Sequence, residues 1–80
     1  MRLDKYLKVS RLMKRRTVAN EACDTGRVFV NGKPARASYD VKIGDIIEIA
    51  LGQKTMKVRV AAISEHVLKE DAAGLYTIEP

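Results

Sequence analysis

The chain reads as an α+β domain, with two short N-terminal helices followed by a small, mostly antiparallel sheet. Three observations predict this. Apolar residues recur at three- and four-residue spacing at the start, as in Leu3, Tyr6 and Leu7, the period of an amphipathic helix. Asn31-Gly32 follows the apolar run Val28-Phe29-Val30, and that dipeptide is the strongest short-range hairpin signal. Further on, Met56, Val58 and Val60 alternate with Lys57 and Arg59, the period of a half-buried strand.

Taken in order, the first helix carries an apolar stripe of Leu3, Tyr6 and Leu7 beside a basic stripe of Arg2, Lys5 and Lys8. A charged connection runs from Arg11 to Arg16. Thr17 is the expected N-cap of the second helix. The capping box there is incomplete, because the third residue on is Asn20 and the acid comes one later at Glu21. Val18, Ala19, Ala22 and Cys23 are expected to face the core, and Gly26 to end the helix with positive φ. Arg27 to Val30 reads as a strand. Pro34 confines the returning strand to an edge or an irregular course. Residues 38–42 form a polar connection, Gly44-Asp45 a turn, Ile46 to Leu51 a strand, and Gly52-Gln53-Lys54 another turn. Glu65 to Ala73 reads as a loop or a short helix, and Tyr76-Thr77-Ile78 as a closing strand.

The charge is lopsided. Arg2, Lys5, Lys8, Arg11, Lys14, Arg15 and Arg16 are seven cations among the first sixteen residues, against the single acid Asp4. The other 64 residues hold eight cations and nine acids, so the net charge of +5 lives at one end. Charge gathered on one face is the electrostatic footprint of a nucleic-acid binder. Lysine and arginine neutralise phosphates and release counterions, and arginine adds a planar fork suited to bidentate contact. The same face would also suit an acidic protein surface.

Other classes find less support. No apolar run approaches the roughly 20 residues of a spanning helix, so no membrane partner is expected. The lone Cys23 excludes an internal disulfide and reads as a small buried hydrophobe. His66 stands alone, where a metal site needs several ligands. No nucleophile–base pair or phosphate-cradling glycine loop stands out, so neither catalysis nor a cofactor is expected. The aromatics are Tyr6, Phe29, Tyr39 and Tyr76. So few argue against an open platform for single strands and for folded RNA recognised by shape and phosphate position. Tyr39 is expected to pack rather than stack.

Four segments, in order and spacing, resemble the alpha-L RNA-binding motif first described in small-subunit ribosomal protein S-four. They are Arg2-Leu3-Asp4, Arg15-Arg16-Thr17, Gly26 to Lys33 and Val41 to Ile47. The resemblance covers roughly residues 1–51. It implies two small helices packed on a short sheet and presenting basic residues to structured RNA. Residues 1–80 are expected to form a single domain, with 52–80 adding strands to the motif.

Within the family, the opening segment from Met1 to Leu12, Gly52-Gln53-Lys54 and the total length resemble the short stand-alone members that act in bacterial ribosome-associated quality control. A stand-alone heat-shock type that recycles stalled large subunits is the alternative, set back by the long basic C-terminal extension missing here. A different structured-RNA-binding module is a further alternative. The resemblance implies contact with large-subunit rRNA and P-site tRNA. It also implies an RqcH-type elongation partner that adds an alanine tail to the stalled chain, and a monomer in the cytoplasm.

Onto this sequence the resemblance carries RNA-binding roles for the seven N-terminal cations, Arg2 and Arg16 foremost. Thr17 joins them, though capping is its favoured duty. Lys33, Arg36 and Lys42 flank the hairpin and the loop after it, a region that in the motif can lie against RNA. They stand even between RNA contact and ordinary surface charge. Asp4 has two readings. It can serve the helix dipole or pair with Lys8 one turn on, which is the favoured reading. Alternatively it can meet a partner cation or orient Arg16 across the fold.

Overall fold

Leu3, Tyr6 and Leu7 are wholly buried, and they fix the inner face of α1 (Leu3–Val9). The computed structural model describes residues 1–65 and 67–79 of the chain; His66 lies outside the described residues. α1 is followed by α2 (Arg16–Asp24), β1 (Val28–Val30), β2 (Lys33–Pro34), β3 (Ile46–Leu51), β4 (Lys54–Val60), a 3₁₀ helix (Lys69–Leu75) and β5 (Tyr76–Ile78). The two helices pack on one antiparallel sheet with strand order β2-β1-β3-β4-β5.

α2 starts one residue earlier than a Thr17 cap would place it. Arg15 holds the extended N-cap conformation, and its carbonyl accepts the first helical hydrogen bond, from the Ala19 N–H. Thr17 therefore lies inside the first turn and makes no cap. Ala19, Ala22 and Cys23 are buried at the expected three- and four-residue spacing, but Val18 is 49% exposed. It sits one residue off that stripe, where the helix surface turns to solvent.

At the other end Gly26, with φ of 77°, closes α2. Its N–H donates to the Cys23 carbonyl, and the N–H of Arg27 donates to that of Ala22. This is the paired-bond Schellman termination. Arg27 is thereby used to finish the helix, and β1 begins at Val28 rather than at Arg27.

Asn31 and Gly32 turn β1 into β2 with φ values of 53° and 83°, the two positive angles of a type I′ hairpin. The Asn31 side chain also accepts from the Ile46 N–H at 3.0 Å and donates to Asp45 at 3.1 Å, so the turn is pinned to the start of β3. β2 is two residues long and ends at Pro34 on the sheet edge. β3 and β4 join through Gly52-Gln53, with Lys54 already paired to Leu51.

The sheet has one dry face. Val28, Val30, Ile47, Ile49, Val58 and Val60 are all buried there. On the opposite face Phe29, Glu48 and Lys57 stand side by side across three strands. β5 adds to β4 at the far edge. The Tyr6 hydroxyl donates to the Leu75 carbonyl at 2.6 Å, joining α1 to the end of the 3₁₀ helix across most of the sequence.

That bond is buried, but the Leu75 carbonyl also accepts from the N–H groups of Ala61 and Ala62. Tyr6→Phe thus removes one bond without orphaning the acceptor. It should cost about 1 kcal/mol, read as a lower urea midpoint with an unchanged slope. No loss would mean that the Tyr6 hydroxyl contributes nothing to holding the C-terminal segment.

Candidate nucleic-acid interface

Asp4 is an acid in the first turn of α1, and it is only 2% exposed. An ionised carboxylate in such a place needs donors, and it has them from both helices. Oδ1 accepts from the Lys5 N–H at 2.8 Å and from Arg2 Nε at 3.1 Å. Oδ2 accepts from Asn20 Nδ2 at 3.2 Å, Arg16 Nε at 3.3 Å and Arg2 Nη2 at 3.4 Å. Burial pushes the Asp4 pKa up, but the donors Arg2, Asn20, Arg16 and the Lys5 N–H outweigh it and hold the carboxyl below its ordinary value.

The backbone fixes Arg2 as firmly as the carboxylate does. The Leu3 N–H donates to the Tyr39 carbonyl at 2.8 Å, the Val41 N–H to that of Met1 at 2.8 Å and the Asp4 N–H to that of Ala37 at 3.2 Å. Arg2 and Asp40 form a β-bridge between these bonds. Arg2 stands at the N-cap of α1 and Arg16 opens α2, so one carboxylate draws together two arginines fourteen residues apart in the chain.

Both guanidinium side chains remain about half exposed, at 50% and 49%. Arg16 engages Asp4 through Nε, which leaves its Nη groups for another acceptor. Arg2 and Arg16 share the groove with Asp4 and Glu21, two charges of each sign, but Asp4 is buried against the arginines while their guanidinium side chains stay exposed. Thr17, Asn20 and Glu21 complete its lining. The geometry presents oriented N–H donors to an anion that stays at the surface, the arrangement that recognises a phosphate.

The remaining cations divide into other groups. Lys5 Nζ pairs with Glu65 at 3.1 Å, an exposed bridge worth little. Lys8 and Arg11 line a hollow with Val9, Glu65, Val67 and Leu68. Arg11 holds φ at 64°, a left-handed conformation that costs a non-glycine residue about 1–2 kcal/mol. Lys14 and Arg15 lie on the connection between the helices. Lys33 and Arg36 share a separate hollow at the hairpin with Asn31, Ser38 and Tyr39. The Lys42 N–H donates to Asp45 at 3.0 Å, which fixes its backbone. Among the described residues, Lys8, Arg11, Lys14, Arg15, Lys33, Arg36 and Lys42 take part in none of the ion pairs.

Two readings change. Asp4 does not pair with Lys8; its partners are Arg2 and Arg16. Asn20, noted in the sequence only as a failed capping-box position, belongs to the cluster. Its spacing of four from Arg16 is the signal that places both on one face of α2. Tyr39 is half-buried against the core with its hydroxyl donating to Asp45 at 2.9 Å. Cys23 is buried, and that burial, with Asp4 and Asp24 nearby, pushes its thiol up to about 11, which keeps it protonated and unreactive. Among the described residues no group of His, Cys, Asp and Glu could hold a metal, and no helix is long and apolar enough to cross a membrane.

Residues 1–47 match the S4 domain. The chain is 55% identical over 78 residues to the RQC P-site tRNA stabilizing factor of Streptococcus pneumoniae, covering 98% of this chain and 89% of that protein. It is 54% identical over 78 residues to the protein of the same name from Bacillus subtilis, covering 98% and 91%. Among solved structures it superimposes on trimeric heat shock protein 15 of Vibrio cholerae with a TM-score of 0.91 and 31% identity, over 99% of this chain and 81% of that one.

The depressed Asp4 pKa has a sign that can be tested. The cluster's stabilisation is full above the ordinary value of 3.8 and is lost as pH falls through the lower folded value. Asp4→Asn should destabilise by roughly 1–3 kcal/mol at neutral pH, toward the lower end because the arginines are half solvated. The gap to wild type should close as pH falls below 3.8. A gap that stays constant from neutral to acid pH would show that the charge on Asp4 contributes nothing.

Proposed function

The chain belongs to the S4 domain family, and from that premise we propose that it is a non-enzymatic RNA-binding protein of the large ribosomal subunit. It binds subunits obstructed by peptidyl-tRNA, contacts rRNA through the arginines at Asp4, and stabilises the P-site tRNA. It thereby supports alanine tailing by an RqcH-type partner, in the cytoplasm and as a single copy. The observation that carries this reading is the buried carboxylate holding Arg2 and Arg16 side by side with open N–H donors. The relatives whose name is RQC P-site tRNA stabilizing factor, similar over nearly the whole chain, support the choice of ribosome and tRNA.

Within this reading Arg2, Arg16 and Thr17 form the primary contact. Lys5, Lys8, Arg11, Lys14 and Arg15 extend the basic surface around the helices. Lys33, Arg36 and Lys42 supply a second contact beside the hairpin. These groups act through phosphates, so they position the protein and do not select bases. The chain makes and breaks no covalent bond; its contribution is to lengthen the residence of a tRNA that others act on.

A second reading has one specific observation in its favour, the close superposition on heat shock protein 15. In that reading the chain recycles stalled large subunits without supporting tailing. Alanine tails that disappear from stalled chains when this protein is deleted favour the first reading. Tails that persist while obstructed subunits accumulate favour the second.

Arg16→Ala should weaken pelleting with purified large subunits carrying peptidyl-tRNA by about ten- to a hundredfold. The slope of log affinity against log salt should become shallower by about one. Far-UV circular dichroism should be unchanged. Wild-type affinity in this variant would remove Arg16 from the interface.

A further inference from the structure

A second groove of about 430 Å³ lies behind the basic cluster, and its chemistry differs from that of the first. It is lined by residues of the helix connection, by Val18 and Ala22 of α2, and by Ala50 and Leu51 at the end of β3. Met13 and Ala22 form a buried floor, while Val18 and Leu51 are 49% and 51% exposed. Lys14, Arg15 and Arg27 also line it, and no acid does. Among the described residues none of these three cations is in an ion pair.

We propose that this groove docks an acidic amphipathic segment of a partner protein. The segment would place aliphatic side chains on Val18 and Leu51 and carboxylates against Lys14, Arg15 and Arg27. Two features favour protein over RNA as the occupant. The apolar wall has no aromatic ring for a base to stack on, and the guanidinium planes of Arg15 and Arg27 lie at the rim rather than on that wall. An apolar floor inside a charged rim is instead the layout of a protein interface. The sign of the rim selects the partner's flanks.

The position of the groove makes this useful. Val18 follows Arg16 by two residues, about 200° round the helix. Asn20 and Ala22 repeat that offset one turn on. One side of α2 therefore faces the Asp4 cluster, and the other faces the apolar groove. Only Lys14 and Arg15 belong to both surfaces, so Arg2 and Arg16 stay open to RNA and the chain could couple a protein to the RNA it sits on. The inference does not depend on which RNA the first face binds.

The test is a titration of the full chain with a fluorescent helical peptide carrying leucines at i, i+3, i+4 and i+7 among glutamates. A scrambled peptide of the same composition is the control. Wild type should bind the amphipathic peptide at least about tenfold more tightly than the scramble. Val18→Lys/Leu51→Lys should lose that difference although it is more basic, and should bind large-subunit rRNA no more weakly than wild type. Equal binding of both peptides to wild type would overturn the proposal, because charge alone would then explain it. Retention of the preference by the variant would place the contact elsewhere. Weaker rRNA binding by the folded variant would assign the groove to RNA. Concentration-dependent dimerisation that the variant abolishes would assign it to a second copy of the chain.

Discussion

The structure turns on one buried carboxylate. Asp4 sits between α1 and α2, where a charge without partners would cost several kcal/mol. Its donors come from three places: the residue just before α1, the first turn of α1, and α2. Satisfying Asp4 therefore sets the register of the two helices and also gathers Arg2 and Arg16. Stability and the proposed RNA contact use the same atoms here. The residue that holds the helices together is the one that aims the cations.

The rest of the small fold serves to hold that cluster still. The strand-like pairing of residues 1–4 with 37–41 fixes Arg2. The loop after the hairpin is anchored in turn by Asp45, which accepts from Tyr39, Lys42 and Asn31. Asn31 ties that network to the hairpin. The support therefore runs from the type I′ turn through Asp45 to the start of the chain, and from there to the guanidinium of Arg2. Preorganised donors lose less entropy when an anion arrives. The left-handed Arg11 and the cations around α1 that form no ion pair among the described residues are strain and repulsion that a protein selected for stability alone would not keep, and such costs collect at binding surfaces.

Much of this was legible in the residues. The helical stripe of Leu3, Tyr6 and Leu7, the Asn31-Gly32 turn and the alternation in β4 each follow from a local rule, and tertiary packing did not override them. The misreadings come from places where a distant residue decides. Thr17 has the chemistry of a cap, but the helix begins at Arg16, beside Asp4 on the other helix. Val18 is apolar, yet it borders a groove rather than the core. Lys8 is the cation one turn on from Asp4 along its own helix, but the fold supplies Arg2 and Arg16 from outside that helix and Asn20 from α2. Helical spacing alone shows which residues share a face of one element; it does not show which face of another element will meet them.

The most direct test is a double-mutant cycle read as affinity for large ribosomal subunits carrying peptidyl-tRNA. It compares Asp4→Asn, Arg16→Ala and the pair, with each variant checked for folding. If the carboxylate acts by aiming the arginine, Asp4→Asn alone weakens binding, and adding it to Arg16→Ala costs much less than it does in wild type. Fully additive losses would contradict that account, and so would an Asp4→Asn variant that binds more tightly because it has only lost a negative charge.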